Sequence, residues 1–162
     1  MKASLEKDPT LKRGINGRPS LYFAFDLPQA ISDDIILYPD IVKLLLMFGA
    51  RPSDRVQGKS IWYRFMVEVY AKKKTLQSPH WRSNMRSNVV KVVEALLEHG
   101  AALKIICDVN RATDLYMSST NFRVPIRGKT ASQIILEVFT DGEQTQLHQA
   151  AKRYRLRASL DD

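Results

Sequence analysis

The sequence predicts an all-α fold in which pairs of helices are repeated along the chain. Two strongly apolar helical segments end in the same glycine–alanine pattern, LLLMFGA at 44–50 and ALLEHGA at 95–101. Three shorter apolar segments each begin with a glycine turn followed by a hydroxyl residue: GRPSLYFAF at 17–25, GKSIWYRFM at 58–66 and GKTASQIIL at 128–136. The order of glycine turn, short helix, loop and longer helix occurs twice in full, which indicates an internal repeat.

The first long helix is predicted within YPDIVKLLLMFGA at 38–50. Pro39 is suited to the start of a helix, because a proline there lacks only an N–H that would have no helical partner. The apolar residues that follow favour a largely buried helix. Gly49 is expected to end it, since glycine readily adopts the left-handed conformation of a helix C-cap.

The second long helix is predicted within SNVVKVVEALLEHGA at 87–101, with Ser87 or Asn88 as its N-cap and Gly100 as its end. A third unit starts at Gly128 and continues into a polar helix, 141–160, on which four residues share one face. These residues are Leu147, Ala150, Ala151 and Tyr154. The intervening stretch 105–127 is predicted to form an inserted β-like finger.

Composition limits the class of protein. The 162 residues carry a net charge of +8, with 44% apolar and 26% charged residues, as expected for a soluble domain rather than a disordered chain. The single cysteine, Cys107, excludes an internal disulfide framework. Neither a transmembrane segment nor a signal peptide is predicted from the sequence, so we expect an intracellular protein, cytoplasmic or nuclear.

These features together resemble the ankyrin repeat. The resemblance implies a short ankyrin-type helical solenoid of about three degenerate repeats with inserted loops, at about 17–50, 58–101 and 128–157 of a domain spanning 17–157. A flexible basic arm at 1–16 and a tail at 158–162 are expected to flank it. The family's threonine–proline–leucine–histidine box is incomplete in every repeat, and its histidine position holds Tyr22, Tyr63 or Gln133.

The segment GARPSDRVQGKSIWYRFM at 49–66 narrows this resemblance. It is similar to the degenerate ankyrin-type C-terminal regions of fungal NACHT-type (NLR-like) receptor proteins. The residues that carry the similarity are Gly49, Ala50, Pro52, Gly58, Ser60, Trp62 and Phe65. The similarity implies that the chain is the sensing or scaffold end of a larger receptor, without its nucleotide-binding part.

No residue pattern in the sequence indicates catalysis, a cofactor or a metal site. The GKS at 58–60 and the GKT at 128–130 lack the earlier glycine of a phosphate-binding loop, since Ser53 and Arg123 occupy that position. The three histidines are not at ligand spacing, and Cys107 in an apolar run is predicted to be a small buried hydrophobe rather than a thiol paired with His148.

A basic insertion, residues 71–91, lies between the two helices of the second repeat and contains no acidic residue. Cations beside an aromatic ring suit a phosphate backbone with stacked bases, whereas the alternative is an ordinary solvated loop. The aromatic helix 61–66 is predicted to lie mainly in the core, with Tyr63 or Arg64 still exposed on the concave face. The predicted partner contacts are Tyr63, Arg64, Lys72, Lys73, Lys74, Trp81, Arg82 and Arg86.

The predicted function is non-catalytic protein–protein recognition, because a stack of repeats presents a rigid extended surface. The alternative is binding of nucleic acid or an anionic surface through the insertion 71–91. Two further interpretations stay open: an autonomous enzyme with a convergent site, and a fragment whose activity resides in absent domains.

Overall fold

The computed structural model describes residues 18–26, 37–78, 83–109 and 126–160. The described part is mostly helical, with seven helices and four short strands. The helices are α1 Ser20–Asp26, α2 Pro39–Met47, α3 Ile61–Ala71, α4 Lys73–Leu76, α5 Ser83–Glu98, α6 Ala131–Val138 and α7 Asp141–Ala158. The strands are β1 Arg55–Val56, β2 Lys59–Ser60, β3 Ile106–Val109 and β4 Ile126–Thr130.

The helices pack in two rows. Helices α1, α3 and α6 follow one another in the first row, and helices α2, α5 and α7 follow one another in the second. Contacts between α1 and α2 and between α6 and α7 join the rows. The core lies between them and is lined by large apolar side chains, including Leu21, Val42, Trp62, Met66, Leu96, Ile134 and Leu147.

Two antiparallel hairpins, β1–β2 and β3–β4, precede α3 and α6 and add strands to the predicted all-α fold. The first hairpin pairs Arg55 with Ser60 and turns through Gln57 and Gly58, both of which have positive φ. Two successive left-handed residues are the requirement of a tight two-residue hairpin turn. The second hairpin pairs Ile106 with Thr130. β3 lies within the predicted finger 105–127, which confirms the β structure expected there, whereas β4 continues beyond the finger to Thr130, through the glycine turn predicted at Gly128.

The ends of α2 and α5 have the same hydrogen bonds. Ala50 N–H donates to the Leu45 carbonyl at 3.1 Å, and Ala101 N–H donates to the Leu96 carbonyl at 3.0 Å. Gly49 and Gly100, at φ +91° and +90°, each donate to the carbonyl three residues earlier. This pair of bonds is the Schellman motif. The predicted helix ends at both glycines are therefore confirmed, whereas α5 begins at Ser83, about one turn before the predicted cap at Ser87 or Asn88.

The bases of the two hairpins also match. Ile61 and Trp62 at the start of α3 donate to the carbonyls of Asp54 and Pro52, and residues 131 and 132 at the start of α6 donate to the carbonyls of residues 105 and 103. The hydroxyls of Ser60 and Thr130 then accept from the third N–H of each helix, at 3.0 and 3.2 Å. Each hairpin thus satisfies the N–H groups that begin the helix after it.

Candidate recognition surface

A groove of about 310 Å³ lies between the first hairpin and the segment that leads from α5 into β3. One wall comes from the first hairpin and the start of α3, and the other from residues 100–102 and 105–106. The lining residues are Pro52, Ser53, Arg55, Gly58, Lys59, Ser60, Trp62, Tyr63, Gly100, Ala101, Ala102, Ile105 and Ile106. The groove therefore spans two successive units of the helical rows.

Two aromatic side chains of α3 hold these walls together. The indole N–H of Trp62 donates to the Ala102 carbonyl at 2.9 Å, and the Tyr63 hydroxyl donates to the Asp108 carbonyl. Trp62 is completely buried, and only 7% of Tyr63 is exposed. Because both bonds join α3 to the next hairpin and its approach, they fix the width of the groove.

The rim of the groove is cationic. Arg55 and Lys59 are both exposed, and the Lys59 ammonium lies 4.7 Å from the centre of the Tyr63 ring, within the range of a cation–π contact. Among the described residues that line the groove, none is acidic. Ile106 stands at the edge with 59% of its surface exposed, so an apolar side chain is presented beside the two cations.

Two of the predicted contact residues are buried, contrary to the expectation that one of them stays exposed. Tyr63 has its hydroxyl bound to β3, and Arg64 is 4% exposed. The Arg64 guanidinium donates to the Val56 carbonyl at 2.8 and 3.2 Å and to Gln57 Oε1 at 3.1 Å. The prediction failed because the hairpin folds back over this face of α3, and Arg64 serves as the internal support of the hairpin turn.

The basic insertion is tied to the last two helices. Lys73 Nζ lies 3.2 Å from Glu137 Oε2, and Arg86 forms a two-point ion pair with Glu143 at 2.6 and 2.8 Å. Arg86 also donates to the Leu76 carbonyl at 2.6 Å. The pKa of Glu143 is lowered, chiefly by the hydrogen bond from Arg86, which favours the charged pair.

The other predicted contacts of the insertion differ in their surroundings. Lys74 is exposed, whereas Lys72 ends α3 and is half-buried. Trp81 and Arg82 lie outside the described residues. Local sequence patterns do not indicate the ion pairs at Lys73 and Arg86, because their acidic partners follow more than fifty positions later.

Gly58 of the GKS segment lies in a hairpin turn, as predicted, whereas the GKT segment forms the end of β4; each segment leads directly into a helix. The first N–H groups of α3 and α6 are already bonded to carbonyls of the preceding segment and to the hydroxyls of Ser60 and Thr130. A phosphate would need those same donors. These bonds therefore leave the two helix starts without the donor set of a phosphate-binding loop.

Cys107 is fully buried, and burial raises the pKa of its thiol to about 12. The thiolate is the reactive form of cysteine, so Cys107 is held in its inert form at neutral pH. Within the described ranges, no group of three or more His, Cys, Asp and Glu side chains is placed to hold a metal ion. None of the helices in those ranges combines the length and apolar character that a bilayer crossing requires.

Groove residues Arg55, Lys59 and Ile106 were not among the predicted contacts. The signal for Arg55 and Lys59 was the turn at Gln57–Gly58 between them, which places the two residues on the paired strands of one short hairpin. Comparisons with protein-family models, with curated proteins and with solved structures found no match to this chain.

Proposed function

We propose that this chain is a non-catalytic protein-recognition module, built as a short ankyrin-type stack, which binds its partner in the groove between the two hairpins. Support for the stack comes from the two rows of helices and from the repeated helix ends at Gly49 and Gly100. Further support comes from the matching hairpin bases before α3 and α6. The similarity of residues 49–66 to fungal NACHT-type receptors adds a sensing or scaffold role within a larger protein to the proposal.

The proposed recognition function rests on one observation, the groove between the first hairpin and the segment that leads into β3. Its walls belong to different units and are joined by the bonds of Trp62 and Tyr63, so its shape is set before any partner arrives. A preformed site loses less conformational entropy on binding than a mobile one. An intracellular setting, cytoplasmic or nuclear, is part of the proposal and is supported by the chain's single, buried cysteine.

Site-specific photo-crosslinking tests the proposal. A benzophenone amino acid replaces Ala102, an exposed residue in the wall of the groove, and in a control protein it replaces Gln149, an exposed residue of α7. We expect Ala102 to crosslink a defined set of proteins in lysate that Gln149 does not reach. The bulky substitution Ala102→Trp, which keeps the carbonyl bonded to Trp62, should compete poorly for those proteins. Identical products from both positions would contradict the proposal.

The alternative, binding of nucleic acid or an anionic surface through residues 71–91, draws less support. Lys73 and Arg86 are engaged by Glu137 and Glu143, which offsets two of the five cations described in 71–91. A test must avoid these two, because removing them would disturb the fold. Lys74→Ser with Lys91→Ser removes two exposed cations instead. If this variant loses binding to a labelled oligonucleotide that the wild type binds, the alternative is favoured.

A further inference from the structure

We infer that the groove takes an acidic peptide segment that carries an apolar side chain. The inference rests on the proposed function and specifies the chemistry of the partner. Two features of the same surface carry it: the exposed cations of the first hairpin, Arg55 and Lys59, and the exposed Ile106 on the facing wall of the groove.

Arg55 and Lys59 line the groove, and the segments that carry the two hairpins have more exposed cations than acidic residues. Five cations with exposed side chains stand on the hairpins and their approaches: Arg51, Arg55, Lys59, Lys104 and Arg127. Acidic residues in the same described segments are Asp54 and Asp108. The Asp54 carboxylate accepts from the N–H of Arg51 at 3.0 Å and so closes its own turn. A negatively charged partner would associate faster with this surface and would be held there by opposite charges, since complementary charges steer association.

The apolar part of the surface specifies the second feature of the peptide. Ile106 is more than half exposed, and Ile105 and Ala102 lie beside it in the wall of the groove. An apolar side chain placed against Ile106 would remove both from water. Its burial gives the central anchor that protein interfaces surround with polar contacts.

The same residues argue against nucleic acid as the occupant. Bases are bound in single strands by stacking on exposed aromatic rings. Here the rings that line the groove belong to Trp62 and Tyr63, which are buried and whose polar atoms are bonded within the protein. The groove therefore offers cations and an aliphatic edge but not a stacking face.

A random peptide display screen on the intact chain tests the inference. Peptides bound by the wild type are counter-selected on the double variant Arg55→Glu, Lys59→Glu. The matched control is Lys43→Glu, Lys91→Glu, which changes the net charge equally on the exposed faces of α2 and α5. We expect enriched peptides to combine acidic residues with a central apolar residue. Fluorescence anisotropy should show affinity at least about tenfold weaker in the groove variant and nearly unchanged in the control.

A variant at Ile106 and a salt titration test the apolar and the electrostatic parts of the inference separately. Ile106→Ser should weaken binding of the enriched peptides, and added salt should weaken it too, because exposed charges are screened. Enrichment of neutral or basic peptides, equal loss in both charge variants, or preferential binding of an oligonucleotide would overturn the inference. If Ala102 still crosslinks a protein while acidic peptides fail, the chemistry assigned to the partner is wrong and the recognition function stands.

Discussion

Glu68 provides the sharpest test of the packing around α3. Its carboxylate is largely buried, and its Oε1 has no hydrogen-bond partner among the described residues. Burial raises the pKa of Glu68 from 4.5 to about 6, although Lys72, one helical turn further on, partly opposes the shift. The folded chain thus keeps a proton over a pH range in which the unfolded chain has released it.

The sign and size of the effect follow from this difference. A raised carboxyl pKa means that stability falls as pH rises from about 4.5 to about 6, and the loss persists above that range. The difference between the two pKa values corresponds to about 2 kcal/mol of unfolding free energy. Glu68→Gln, which keeps the shape and removes the charge, should therefore be about 2 kcal/mol more stable than the wild type at neutral pH. The two proteins should be nearly equal in stability below pH 4.5.

The assay is urea unfolding followed by the helical circular dichroism signal, at one pH below 4.5 and one well above 6. Only the difference between the variant and the wild type is diagnostic. Glu137 and Glu143 have lowered pKa values, so they add stability as pH rises and mask the trend of the wild type alone. Asp108→Asn, which removes one exposed negative charge, is the charge-matched control. A gain in Glu68→Gln that is the same at both pH values, or a loss at neutral pH, would refute the reasoning.

Two other predictions concern stability. Arg86→Met should lower the unfolding free energy by about 2–4 kcal/mol, because it removes the positive partner of the partly buried Glu143 carboxylate and the donor to two carbonyls. Lys91→Met, at an exposed position, should change it by less than about 0.5 kcal/mol. Gly49→Ala should cost about 1 kcal/mol for its left-handed backbone. Gly100→Ala should cost about 1 kcal/mol more, because the new Cβ would lie 2.8 Å from the Tyr154 ring. Equal losses of unfolding free energy at the two glycines would show that crowding against Tyr154 adds nothing at Gly100. Equal losses at Arg86 and Lys91 would show that the Arg86 ion pair and hydrogen bonds do not stabilise the fold.

Local signals in the sequence predicted much of the fold. Gly49 and Gly100 marked the ends of α2 and α5 because a left-handed backbone position strongly favours glycine. Ser60 and Thr130 marked the starts of α3 and α6 because their hydroxyls accept from the first turn. The start of α7 carried a similar signal, a threonine with Glu143 three residues later, which forms a capping box that the sequence analysis did not use.

The candidate recognition surface was harder to predict, because it depends on which distant segments the fold brings together. Residues 55–59 and 100–106 are about forty positions apart in sequence, and only the packing of α3 against the second hairpin makes them two walls of one groove. Charge by itself was misleading. Lys73 and Arg86 belong to the densest basic stretch, yet their acidic partners on α6 and α7 give them a role in joining the insertion to the fold.

The two hairpins share the hydrogen bonds at their bases but differ in the length of the segment that connects their strands. The hydrogen bonds that begin α3 and α6 are complete at the base of each hairpin. Yet the first hairpin closes through two residues, and sixteen residues, 110–125, join β3 to β4. Mutation can therefore lengthen, shorten or rewrite such a connection without changing the bonds that start the next helix.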